Sequence, residues 1–116
     1  MSYAAVKEHA LSLPGTTHDI EWGNDWVASV GGKMLLVGGP EPGAWGGCSF
    51  KVDEHRLLEL SGLRGLAPAP CLARVKWIRL ADPKALPLAV LKGLVERSHA
   101  LVLGGLTKKR QKEILA

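Results

Sequence analysis

Three groups of residues in this chain are of types that do chemistry or hold ligands. The first is Thr107-Lys108-Lys109-Arg110, with Lys112 close behind. Thr107 suits a helix N-cap, which puts Lys108, Lys109 and Arg110 in the first turn, where the macrodipole is positive and acids are preferred. Each cation there costs about 0.3–1 kcal/mol of helix stability at low salt. Free backbone N–H groups, a capping hydroxyl and clustered cations together suit a phosphate. The same run also reads as a solvated basic tail. The second group is Arg74, Lys76 and Arg79, flanking Trp77 on a predicted strand. Arg74 and Lys76 on one strand face could track a phosphate backbone while Arg79 enters a groove. They read equally as charges that keep a sheet edge from pairing. The third is the tryptophans, whose rings could stack on bases. Trp22, Trp26 and Trp77 fall in strand patterns and read as core, whereas Trp45 lies near the tip of a glycine-rich stretch that reads as a connecting loop or as a wing touching a partner.

Residues that suggest catalysis are poorly arranged for it. Ser98 and His99 are adjacent, so on one helix they cannot face each other as nucleophile and base. Asp19 and Glu21 share one face of a predicted strand, but next to Trp22 and Asp25 they read equally as a turn surface. Residues 38–47 hold five glycines and two prolines without a phosphate-loop or dinucleotide fingerprint; Gly43-Ala-Trp-Gly46 is only a bare GxxG. His9, His18, His55 and His99 lack zinc-type spacing to one another or to Cys48 and Cys71. The cysteines read as reduced core residues. The expectation is a non-enzyme with no metal and no cofactor.

Length and composition frame these groups. The chain has 116 residues, 47% hydrophobic and 22% charged, which fits one globular domain over 1–116. No apolar run approaches the roughly 20 residues of a membrane span, and no export signal is visible, so the expected location is the cytoplasm. Charge is uneven. Residues 1–55 carry three cations against seven acids, and residues 56–116 twelve cations against four acids. Such asymmetry suggests one side that faces a polyanion.

The elements that must position these groups follow from periodicity and turn chemistry. Residues 2–12 read as a helix with Tyr3, Val6, Ala10 and Leu11 on its apolar face, stopped by Pro14-Gly15. His18–Gly23, Trp26–Val30 and Lys33–Val37 read as strands, the last two joined by a Gly31-Gly32 hairpin turn. Cys48–Val52 alternates, with Cys48, Phe50 and Val52 inward and Ser49 and Lys51 outward. Asp53 is a candidate N-cap for a helix that buries Leu57, Leu58 and Leu60 and ends at Ser61-Gly62. Pro68 and Pro70 make an extended lead-in to a strand through Arg79, with Ala73, Val75 and Trp77 opposite Arg74 and Lys76. The alternation slips at Trp77-Ile78, which predicts a bulge or a strand covered on both faces. A long helix from Pro87 to Val102 has Leu88, Leu91, Leu94, Val95, Leu101 and Val102 inward and Lys92, Glu96 and His99 in water. Gly93 within it predicts close packing against a neighbour. Gly104-Gly105 breaks it, and Thr107 opens a terminal helix. The fold class is α+β: an antiparallel meander packed by helices.

Leu11-Ser-Leu-Pro-Gly15, Gly32-Lys-Met34, Ser49-Phe-Lys-Val52, Pro68-Ala-Pro70 leading to Trp77-Ile78, and Ser98-His-Ala-Leu-Val102 followed by Leu106-Thr-Lys-Lys109 resemble the MmcQ/YjbR family of small bacterial proteins. The resemblance spans nearly the whole chain; Cys71 and His99 stand where the family pattern would have tyrosine. It implies a CyaY-like fold, likened to a double-wing DNA-binding module, and DNA as partner. Other CyaY-like folds are associated with iron binding through an acidic helix and strand; here the acidic residues are few and interrupted, so the resemblance does not extend to that role. The expected function is non-catalytic DNA binding through phosphate contacts with little base specificity, by the 108–112 and 74–79 cations and a loop wing at Trp45. The alternative is an adaptor whose groove beside Trp45 and Pro68–Pro70 takes a peptide or another protein.

Overall fold

The computed structural model describes residues 3–21, 25–38, 47–68, 76–81 and 85–115. Helix α1 (Tyr3–Ser12) leads into β1 (Thr16–Glu21), β2 (Asp25–Val30), β3 (Lys33–Gly38) and β4 (Cys48–Lys51). Helix α2 (Glu54–Ser61) then precedes β5 (Leu66–Pro68) and β6 (Trp77–Leu80), and helices α3 (Leu88–Gly104) and α4 (Lys108–Leu115) complete the chain. The strands form one six-stranded sheet, in the order β1-β2-β3-β4-β6-β5. Every pairing is antiparallel. The chain is therefore α+β, as its patterning predicts. Among the described residues no helix is long and apolar enough to cross a membrane.

Strand alternation decides which face the helices cover. Register aligns Ala28, Leu36, Phe50 and Ile78 across four neighbouring strands. All four are fully buried in one cluster with Val6 and Ala10 of α1 and Leu91, Val95 and Val102 of α3. Each large side chain so buried contributes about 1.5–3 kcal/mol. Val27 and Trp77 are buried on the opposite face and stand outside that cluster. The slip at Trp77-Ile78 thus marks a strand buried on both faces.

One irregularity ties the sheet to α3. Ala28 pairs with Leu36 but Ser29 with Met34, so Leu35 is an extra residue on β3. The buried Ser98 hydroxyl donates to the Leu35 carbonyl at 2.6 Å and accepts the Lys51 N–H at 3.0 Å. Leu36 pairs with Phe50, so Leu35 and Lys51 form the next rung, and the serine hydroxyl is inserted into it.

Several expectations are corrected. His99 is 6% exposed rather than in water, and its Nε2 lies 2.8 Å from the Pro14 carbonyl, tying α3 to the α1–β1 turn. Leu58 is 80% exposed and Leu11 is exposed, because α2 buries only Leu60 fully and α1 only Val6 and Ala10 among its described side chains. Asp53 occupies the N-cap position of α2 but makes no side-chain capping bond. Its carboxylate instead receives Nε and Nη2 of Arg97, each at 2.9 Å. Gly93 meets no neighbour: a Cβ built there finds nothing within 4 Å. The last strand begins at Trp77, and it is not a sheet edge, since β5 pairs along it.

Candidate nucleic-acid interface

Helix α4 is seated on two glycine turns. Gly31 and Gly32 both have positive φ, 59° and 80°, the geometry of a tight hairpin turn that glycine adopts without strain. The missing side chains also make room for the helix. A Cβ at Gly15 would come within 2.5 Å of Ile114 Cγ2, and one at Gly31 within 2.5 Å of Leu106 Cδ1. Ile114 and Leu106 are thereby packed against the core while the rest of α4 faces outward. Thr107 caps the helix, its Oγ1 accepting the Arg110 N–H at 3.2 Å, and the Gln111 amide donates to the Leu106 carbonyl at 2.8 Å.

The cations of α4 are exposed, and their pairing differs. Arg110 donates to Glu113 at 3.1 Å, an exposed i,i+3 pair. Among the described residues Lys108, Lys109 and Lys112 have no ion-pair partner. Helix packing does not use them, since they lie away from Leu106 and Ile114.

Topology brings further cations to the same end of the sheet. The β2–β3 turn that supports α4 ends at Lys33, which is exposed. Strand β4 finishes at Lys51, opposite the start of β6 at Trp77, so Lys76 stands at this end too. Lys76 has φ 65°, an unusual left-handed conformation for a side-chain-bearing residue. Its carbonyl accepts the Val52 N–H at 2.8 Å, and its Nζ lies 3.8 Å from Glu54. With strands about 4.8 Å apart, Lys33 and Lys76 are separated by two spacings, roughly 10 Å. Lys33 and Lys51 are not among the residues that the sequence assigns to the interface. The signals were there, Lys33 beside the Gly-Gly turn and Lys51 outward by alternation, but only strand order brings these ends together.

Arg79 lies elsewhere. It pairs with Ser49 near the other end of β6, where it lines a hollow of about 270 Å³ with Asp25, Gly47 and Cys48. Burial pushes the Cys48 thiol up to about 12, against the opposing pull of Arg79. Arg74, Trp45, Trp22, Pro70 and Cys71 lie outside the described residues. Trp26, read as core, is buried, its Nε1 donating to His18 Nδ1 at 3.1 Å.

The residues that suggest catalysis are held by backbone. Ser98 is bonded to β3 and β4 and His99 to the α1–β1 turn. Asp19 accepts the Ile20 N–H at 2.8 Å. Among the described residues no three His, Cys, Asp or Glu side chains are grouped to hold a metal.

No curated protein matches the sequence. The crystal structure of the Deinococcus radiodurans protein DR2400, with a DUF419 domain, superposes with a TM-score of 0.85 at 23% identity, covering 97% of this chain and 87% of that one. A Pseudomonas syringae protein superposes with a TM-score of 0.68 at 19% identity, covering 88% of this chain and 99% of that one. At these identities the likeness shows a shared fold. The YjbR family profile matches residues 11–101, which take in all six strands and α3 through Leu101, and the chain belongs to the YjbR family.

Proposed function

We propose that this protein is a non-catalytic DNA-binding module that grips the phosphate backbone with little base specificity. The observation that carries the reading is α4. Its exposed Lys108, Lys109 and Lys112 have no acidic partner among the described residues, and two of them stand in the first turn, where helix stability calls for acids. Lys33 and Lys76 extend the basic end across the sheet. Backbone N–H groups at the capped start of α4 add dipolar attraction for an oxygen anion. Binding releases condensed counterions, so affinity comes from charge and is lost with salt. The commitment of Ser98 and His99 to backbone partners supports a non-catalytic role. A cytoplasmic setting, with Cys48 reduced, belongs to the same reading.

The test is the affinity for a labelled duplex across a salt series, for the wild type and for Lys108→Glu/Lys109→Glu/Lys112→Glu. The reading expects a steep salt dependence that the charge reversals flatten without loss of fold. An unchanged affinity in a folded triple variant would exclude α4 as the contact.

A further inference from the structure

Residues of α2, of α3 and of the segment just after β4 line a hollow of about 320 Å³, at the small end of ligand-sized cavities. Val52, Val90 and Leu94 supply its apolar surface, and Arg56 and Arg97 reach it from opposite helices. Gly93 stands in its wall. A glycine in a helix interior is destabilising, and its missing side chain lets another backbone approach closely. Among the described residues nothing does so: a Cβ at Gly93 meets no atom within 4 Å, and the space in front of it is open.

The charges around the hollow indicate what the neighbour carries. Of the two guanidinium groups lining it, Arg97 takes both oxygens of Asp53, the one carboxylate in the lining. Arg56 spends one nitrogen on Glu59 at 3.2 Å in an exposed pair, and among the described residues its other donors have no partner. Around an apolar floor the lining thus carries two guanidinium groups against one carboxylate, with Glu59 paired to Arg56 outside it. Two exposed apolar side chains stand at the hollow. Leu58, 80% exposed, lies one turn along α2 from His55, which lines the hollow, and Val90 of the lining is 43% exposed on α3. A small acid would leave both bare, whereas a peptide would cover them.

We propose that the α2–α3 hollow is a docking site for an extended peptide segment with an acidic side chain beside bulky aliphatic ones. The acid meets Arg56, an aliphatic neighbour fills the pocket against Val90 and Leu94, and the peptide backbone passes over Gly93. This site is separate from the basic end and does not depend on the phosphate reading.

The test is a titration followed by amide chemical shifts. The probe is a pool of acetylated hexapeptides with glutamate fixed third and leucine, isoleucine, valine or phenylalanine second and fourth. Shifts localised to His55, Arg56, Val90, Gly93 and Leu94 are expected, with affinity about tenfold weaker for the same pool carrying glutamine. Gly93→Ala is decisive, because it should raise the melting temperature by about 4 °C through helix propensity yet weaken peptide binding severalfold. The Lys108→Glu/Lys109→Glu/Lys112→Glu variant should bind the pool as the wild type does. Absence of localised shifts at millimolar peptide, equal shifts from the glutamine pool, or unchanged binding by a stabilised Gly93→Ala variant overturns the proposal. So does equal affinity for hexanoate, which assigns the hollow to free acids, or displacement of the peptide by duplex DNA, which assigns it to phosphate.

Discussion

Replacing Ser98 with alanine isolates the joint between α3 and the sheet. The hydroxyl bridges the Leu35 carbonyl at 2.6 Å and the Lys51 N–H at 3.0 Å, and the serine side chain is fully buried. Truncation strands one buried acceptor and one part-buried donor. Each unsatisfied group costs about 1–3 kcal/mol, and the partial burial of Lys51 puts its share at the lower end, so the total is about 2–4 kcal/mol. At about 4 °C per kcal/mol for a domain of this size, the melting temperature should fall by roughly 8–16 °C. Thermal unfolding followed by circular dichroism measures the loss, and hydrogen exchange at the Lys51 amide locates it. That amide should exchange faster in the variant than the amides of the β1–β2 ladder, which does not pass through Ser98. A melting temperature within about 3 °C of wild type, with Lys51 still protected, would mean that Leu35 and Lys51 close the rung directly. The inserted hydroxyl would then not be what holds α3 to the sheet.

Three further perturbations test other joints. The Cys48 thiol, pushed up to about 12 by burial, should resist alkylation at pH 8 in the folded protein and react at once on unfolding, as a timed labelling experiment would show. Because its folded value lies above the unfolded one, its contribution to stability is complete below about pH 8.5 and declines as pH rises toward about 12. The Arg97 hydrogen bonds hold the Asp53 carboxyl below its usual range. That contribution is present above the unfolded carboxylate value and is lost as pH falls through the lower folded value, so Asp53→Asn should flatten the acid limb of a stability–pH curve and leave its alkaline limb unchanged. Thr107→Ala removes the cap on Arg110 and should cost about 1 kcal/mol, seen as faster amide exchange confined to α4 rather than as a large fall in global stability.

Much of the fold is legible in the sequence because its signals are local. Gly31-Gly32 specifies the hairpin, the alternation of Cys48, Phe50 and Val52 specifies the buried face of β4, and the slip at Trp77-Ile78 narrows the choice to a bulge or a strand covered on both sides, of which the structure has the second. The errors fall where a tertiary partner outweighs a local preference. Asp53 has the chemistry of a cap, but Arg97, distant in sequence, offers two charge-assisted hydrogen bonds. His99 looks like a solvated helix residue until the Pro14 carbonyl arrives from the α1–β1 turn. The slot at Leu66–Pro68 is short and proline-bearing, so nothing in its pattern reveals that it closes the sheet beside β6. The candidate interface divides in the same way. The run at Thr107–Lys112 is readable because it violates the helix dipole rule, but Lys33 and Lys51 join it only through strand order. Register likewise separates Arg79 from Lys76, which sequence proximity had grouped.

The most direct test of the central claim is the salt dependence of duplex affinity. If Lys108, Lys109 and Lys112 contact phosphates, log affinity should fall linearly with log salt. Reversing the three to glutamate should then reduce the slope by about two to three, near 0.9 for each phosphate no longer neutralised. A slope near zero in the wild type, or one that the folded triple variant leaves unchanged, would contradict the account.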